Sequence, residues 1–245
     1  MAVRFLTAGD RAVSVEFGNI ISRELNGKVR ALAKRIKEDP IDGVTETVPT
    51  YCALIVHYRP EKILYAELVR ALEARLPETG VKEPEKDYYK EIPVLYGGPL
   101  GEDLALCARL EETTTEEIIR RHSEHEYYVY MLGFAPGHPY MARFEEPFGF
   151  RRRPEPRVRI EARSIVVQQN LSDIIPFPQP CGWNIIGSTP VEMCDLSRED
   201  PFTLEAGDWV RHVPVSQREY DLIRRDVEAG NYRIRTGKRE VKQHE

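Results

Sequence analysis

The run Met131-Leu132-Gly133-Phe134-Ala135-Pro136-Gly137-His138-Pro139-Tyr140 places an imidazole and a phenol, both able to move a proton or hold an amide, two residues apart. Its glycines and prolines force an unusual backbone path directly after an apolar stretch and leave His138 and Tyr140 projecting from a rigid loop. Such loops often line sites, although a tight barrel corner needs the same permissive backbone. A second cluster runs from Pro178 to Pro190 and contains Cys181-Gly182-Trp183 and Ile186-Gly187-Ser188-Thr189. Trp183 suits a core anchor or a ligand platform, and Gly182 and Gly187 would let a bound molecule approach the backbone closely. Cys181 has no histidine beside it in sequence, which disfavours a nucleophilic thiolate.

Two further groupings carry polar chemistry. His122 and His125 are three residues apart near an expected helix end, a spacing that could hold a metal or could answer the negative end of the helix dipole. With no third ligand nearby, no metal is expected. Arg151-Arg152-Arg153, with Arg157, Arg159 and Arg163, forms a basic stretch that reads as a solvated loop and strand edge.

The elements that must position these residues follow from periodicity. Arg4 to Gly18 reads as a hairpin, because Ala12 to Phe17 alternates apolar and polar residues. Leu25, Val29, Leu32, Ala33 and Ile36 recur at helical spacing, and Pro40 and Gly43 end that helix. Val44 to Val48 and Ala53 to Val56 read as strands, and a second helix is expected from about Ile63 to Leu76. The order β-β-α-β-β-α gives an α+β sandwich. Polar stretches at Pro77-Glu78-Thr79-Gly80 and from Lys82 to Asp87 read as a linker.

Beyond it, Tyr89 to Tyr96 reads as a strand and Asp103 to Leu110 as a short helix. Thr114 and Glu117 have capping-box spacing ahead of another helix. Short β-type runs follow at Tyr127 to Leu132, Ile165 to Val167, Trp183 to Ile186, Val191 to Met193 and Trp209 to Val213, a pattern of barrels or sandwiches. Ser216 to Glu228 looks helical, and the charged tail from Thr236 is expected to fray. Domains are therefore expected at 1–86 and 87–215, with a helix and tail at 216–245.

Composition excludes several classes of function. A net charge of -5, from 35 Lys+Arg against 40 Asp+Glu, argues against nucleic acid as a partner. No apolar run approaches the ~20 residues that cross a bilayer, and Met1 to Asp10 lacks the apolar stretch of a secretory signal, so a cytoplasmic protein is expected. Four cysteines without a Cys-x-x-Cys pair suggest reduced thiols. No Gly-x-x-x-x-Gly-Lys-Ser/Thr loop and no Gly-x-Gly-x-x-Gly after a strand is present, so unaided ATP binding is not expected.

A set of residues in fixed order completes the reading: Gly9-Asp10, Ile92-Pro93-Val94, Tyr96-Gly97-Gly98, Gly133 to Tyr140, Pro156-Arg157, Asn170, Gly182-Trp183, Ile186-Gly187, Thr189-Pro190 and Ala206-Gly207-Asp208 before Val210. In these the chain resembles the family of the B-type subunits of 5-oxoprolinase, also known as allophanate hydrolase subunit 1, which includes KipI-like inhibitors of sporulation kinases. The resemblance runs to about Val215. It implies a ferredoxin-like N-terminal α/β sandwich followed by a cyclophilin-like β-barrel. It also implies a homologous C-type partner and a further 5-oxoprolinase component, which together open a small amide or lactam, 5-oxoproline, to glutamate with ATP used by the assembled complex.

On this resemblance the expected catalytic residues are His138 and Tyr140. Arg157 is expected to hold an anionic group, and Asn170, Gly182, Trp183, Pro136 and Gly137 to complete the substrate pocket. The chain departs from the family pattern between Ile160 and Asp173, where a family Gln is Leu171 and family glycines are Arg163, Val166, Gln169 and Asp173. The family's Gly-Arg-Thr is here Gly187-Ser188-Thr189. These changes remove a guanidinium and a primary amide from the expected pocket. Two other readings stay open: a KipI-like inhibitor docking on a histidine kinase, and the carboxyltransferase component of a biotin-dependent, urea-type carboxylase.

Overall fold

The computed structural model describes residues 3–77, 86–142 and 147–239. The expected linker falls largely outside them. The chain divides into two compact units, 1–84 and 85–245.

In the first unit β1 (Arg4–Thr7) and β2 (Ala12–Glu16) form a hairpin, followed by α1 (Arg23–Glu38), β3 (Val44–Pro49), β4 (Ala53–Tyr58) and α2 (Tyr65–Glu73). The sheet order is β1-β2-β4-β3, antiparallel throughout. Strands β2 and β3 thus run parallel with β4 between them, the split βαβ arrangement of ferredoxin-like sandwiches, with the fourth strand supplied by β1. Val29, Leu32 and Ile36 on α1 and Leu68 and Leu72 on α2 are buried with Val13, Val15, Leu54 and Val56 of the sheet. Each such side chain contributes about 1.5–3 kcal/mol of burial. The second helix is shorter than its apolar spacing suggests: Glu67 of the first turn accepts from the Leu64 backbone N–H, which fixes the start at Tyr65.

The second unit opens with β5 (Tyr88–Tyr96), a single 3-10 turn (Gly98–Leu100), α3 (Leu104–Leu110) and α4 (Thr115–Ser123). Then come β6 (Glu126–Leu132), β7 (Pro139–Ala142), β8 (Arg157–Ile160), β9 (Ser164–Gln168), β10 (Leu171–Ile174), β11 (Gln179–Cys181), β12 (Asn184–Ser188), β13 (Trp209–Pro214), α5 (Gln217–Glu228) and β14 (Thr236–Lys238). Seven strands close a mixed barrel in the order β12-β9-β10-β7-β6-β13-β5, with β5 pairing back to β12. Only β5 and β13 pair in parallel among them. Closure depends on Gly187, opposite Tyr96: a Cβ there would lie 2.6 Å from Leu95 O. The close approach expected at Gly187 is therefore made by β5. Ile92, Val94, Tyr127, Val129, Met141, Ile165, Val167, Ile186 and Val210 fill the interior.

Thr114 caps α4 by accepting from Glu117 N, but the Glu117 carboxylate is drawn to Arg120 at 2.6 Å, away from the reciprocal half of the box. Val191 to Met193 is not a strand; the Thr189 hydroxyl takes the Val191 N–H, and pairing resumes as a single bridge between Cys194 and Phe202. Of the tail expected to fray, 236–239 are ordered into the fold, and 240–245 lie outside the described residues. Thr236–Lys238 pairs with β5, and Arg239 binds Glu126 at 2.8 Å while its guanidinium lies 3.5 Å from the centre of the Trp209 ring. Fully buried Asp208 accepts from Lys86, Lys90 and the Glu205 N–H, which ties the start of β5 to the turn before β13.

Candidate active site

The β6–β7 hairpin is closed by Gly133 N–H donating to His138 O at 3.1 Å, with His138 N–H on Ala135 O at 3.1 Å inside it. Gly137 sits at φ +73° and packs so tightly that a Cβ would lie 2.8 Å from Met193 O. That packing turns His138 inward, where it is 5% exposed, while Phe134, at φ +65°, stays 74% exposed. Pro136 is exposed on the same turn. Tyr140, the second residue of β7, stacks on His138 with ring centres 4.9 Å apart and planes 17° apart.

Opposite them, Asp173 on β10 turns its carboxylate toward the ring, with Oδ2 at 3.4 Å from His138 Nε2. This is an ion-pair contact, longer than an ordinary hydrogen bond. Asp173 Oδ1 accepts the Met141 N–H at 3.1 Å. Burial pushes the Asp173 carboxyl above its usual range, and His138 and the Met141 N–H act against that rise. Gln179 on β11 brings its Nε2 to 3.3 Å from His138 Nδ1. Cys181, two residues on and so on the same face of β11, has its thiol pKa pushed up by burial, most of all, and by Asp173. It is a thiol and not a poised nucleophile. Burial, then Asp173 and Cys181, likewise raise the Tyr140 phenol.

The arginines divide into two groups. Arg157 donates from Nη2 to Asp103 Oδ1 at 2.8 Å and pairs through Nε with Glu102 at 3.0 Å, and Arg153 Nη1 reaches the same Asp103 oxygen at 2.8 Å. The geometry therefore commits Arg157 to the start of α3. Arg152 is exposed, and among the described residues no acidic side chain pairs with it. Its side chain lies against the bare face of Gly182, where a Cβ would collide with it. Gly182 thus makes room for Arg152.

Trp183 is half-buried against Ile160, Val166, Ile175 and Ile185 and packs as a core anchor. Asn170 lies in the β9–β10 turn, next to Gln169 at φ +48°. His122 is fully buried, its Nδ1 2.6 Å from the Tyr96 hydroxyl and its Nε2 2.9 Å from Ser172 Oγ. Among the described residues no group of three or more metal-ligating side chains comes together.

The structure thus gathers His138, Tyr140 and Gly137 with Asp173, Gln179 and Cys181, and sets Gly182 beside Arg152. Sequence reasoning missed Asp173 and Gln179 as partners of His138. In sequence Asp173 is visible only as a departure from a family glycine, and no local signal joins it to a histidine 35 positions earlier.

Comparison with known proteins gives a consistent picture. Residues 3–204 match the family model described as carboxyltransferase domain, subdomain C and D. The B-type subunit of 5-oxoprolinase from Bacillus subtilis (strain 168) is 33% identical over 228 residues, 89% of this chain and 95% of that protein. That of Escherichia coli O157:H7 is 33% identical over 209 residues, 85% of this chain and 94% of that protein. The Kluyveromyces lactis urea carboxylase structure superposes with a TM-score of 0.78 at 16% identity, covering 96% of this chain and 24% of that chain, a likeness of fold. No helix among the described residues is long and apolar enough to cross a membrane.

Proposed function

Because the chain belongs to the carboxyltransferase domain, subdomain C and D family, together with the B-type subunits of 5-oxoprolinase, we propose that it is the B-type subunit of an ATP-dependent amide or lactam hydrolase. In this reading it is a cytoplasmic protein that works with a C-type partner and a third component. The observation that carries the proposal is 33% identity across 95% of the length of a named B-type subunit of 5-oxoprolinase.

The chemistry of the site fits this role. A lactam is an unstrained amide, so its carbonyl must be activated, by phosphoryl transfer from ATP, before water can attack it. The chain has no phosphate-cradling loop, and Arg153 and Arg157 are held by Asp103, so nucleotide handling falls to the partner chains. His138 and Tyr140 supply groups that move protons at the amide, and Gln179 supplies an amide that can hydrogen-bond it. Arg152 takes the anion-holding role expected of Arg157.

The test is reconstitution. The chain, its C-type partner and the third component are co-purified and assayed for lactam-dependent ATP hydrolysis with release of the ring-opened amino acid. Turnover with 5-oxoproline or a related lactam supports the reading. A stable complex that hydrolyses no ATP with any lactam or small amide overturns it.

A further inference from the structure

The two ring nitrogens of His138 face groups of opposite character, although Nε2 makes no ordinary hydrogen bond among the described residues. Nε2 faces a carboxylate oxygen of Asp173 at 3.4 Å, and Nδ1 faces the Gln179 amide at 3.3 Å. A lone pair on Nε2 turned toward a carboxylate would repel it, so the first proton of the ring belongs on Nε2. Nδ1 is then the nitrogen that gains and loses the second proton.

A primary amide is suited to that position. Its NH2 donates to a bare Nδ1, and after a 180° turn its carbonyl accepts from a protonated Nδ1. In the structure Gln179 Nε2 faces Nδ1 while Oε1 is buried with no hydrogen-bond partner among the described residues. An unpartnered buried carbonyl is destabilising, because it has lost its water without gaining a donor. That cost is relieved when the ring takes its second proton and the amide turns. The other titratable groups close by are Tyr140 on β7, stacked on the ring, and Cys181, further along β11; Phe134 presents its edge at 6.0 Å.

We infer that His138 exchanges its proton through Nδ1, that Asp173 is the positioning residue anchoring the other proton on Nε2, and that the Gln179 amide turns over to serve both forms. The use of this device rests on the hydrolase reading above.

The experiment is nitrogen-15 NMR of the histidine side chains of the full chain across pH 5–9, with His138→Gln identifying the signals. In the wild type Nε2 is expected to stay protonated throughout, while the Nδ1 shift moves with pH. Asp173→Asn places an amide N–H donor opposite Nε2, so the neutral ring is expected to switch its proton to Nδ1. Gln179→Leu is expected to leave the Nε2 proton in place. A neutral wild-type ring protonated on Nδ1 overturns the inference, as does an identical tautomer in the wild type and D173N. The wild-type spectrum decides the tautomer even where D173N does not fold. No ATP or partner chain is needed, so the expected spectra beside an inactive complex count against the hydrolase reading alone.

Discussion

The imidazoles of His122 and His212 lie with ring centres 4.2 Å apart and planes 36° apart inside the barrel, both almost fully buried. His122 is hydrogen-bonded through both nitrogens, to Tyr96 and Ser172, whereas neither nitrogen of His212 has a hydrogen-bond partner among the described residues. Burial lowers the His212 pKa from 6.5 to about 3, so the ring is neutral in the fold. The unfolded chain binds a proton below pH 6.5 that the folded chain refuses until about pH 3. Stability is therefore unaffected by this group above that window, and falls by about 1.4 kcal/mol per pH unit as pH drops through it. Urea unfolding at pH 7, 6, 5 and 4 measures the slope. His212→Phe, which keeps a ring against His122, is expected to flatten it by about one proton's worth.

Asp103 gathers three segments of the barrel unit. Its Oδ1 takes Arg153 and Arg157, its Oδ2 takes the Ile185 N–H at 2.8 Å, and its own N–H reaches Ile185 O at 2.9 Å. Removing a buried carboxylate that holds two guanidinium groups leaves their charges uncompensated. Asp103→Ala is expected to cost about 3 kcal/mol, read as a lower urea midpoint. Arg157→Ala is expected to act the same way more weakly, as a loss of stability ahead of any loss of affinity.

The elements were legible where local physics decides them. The stripe Val29, Leu32, Ile36 defined α1, and Ser216 to Glu228 read as the helix that the structure shows over Gln217–Glu228. The short strands β7, β10 and β11 were not, because a run such as Leu171-Ser172-Asp173-Ile174 or Gln179-Pro180-Cys181 has no alternation to detect and becomes a strand only when a partner distant in sequence supplies its pairing. The site divides in the same way. Glycine and proline content marked the loop that presents His138, a local property. The carboxylate and amide facing its ring come from β10, which pairs with β7, and from β11, which pairs with β8 outside the barrel, and both contacts join residues far apart in sequence. The pairing of Arg157 with Asp103 was hidden for a related reason, since sequence cannot show which arginine a distant aspartate will claim.

Gly137 tests how far that loop tolerates change. At φ +73° and 2.8 Å from Met193 O, an added Cβ meets both backbone strain and a carbonyl that cannot move cheaply. Gly230, at φ +72° with nothing within 4 Å of its Cβ position, is the control for strain alone. Gly230→Ala is expected to cost about 1 kcal/mol, and Gly137→Ala about 2–3 kcal/mol, with strain and close approach combined. Calorimetric melting of the two variants separates the contributions. Equal shifts would show that Met193 yields freely.

Arg152 gives the most direct check on the anion-holding role proposed for it. Its side chain fills the space left by Gly182, and no acidic side chain among the described residues competes for its guanidinium. A charge-assisted hydrogen bond is worth about 1.5–3 kcal/mol, so Arg152→Ala is expected to raise KM for a carboxylate-bearing lactam by about 10–100-fold. The melting temperature and complex assembly are expected to stay at wild-type values, because the guanidinium carries no ion pair among the described residues. Arg157→Ala should do the reverse, lowering the melting temperature with a smaller change in KM. Steady-state kinetics of the reconstituted complex, run beside thermal melts of both variants, distinguish the two roles. A KM unchanged in R152A and raised in R157A would return the anion to Arg157 and require that Asp103 release it when substrate binds.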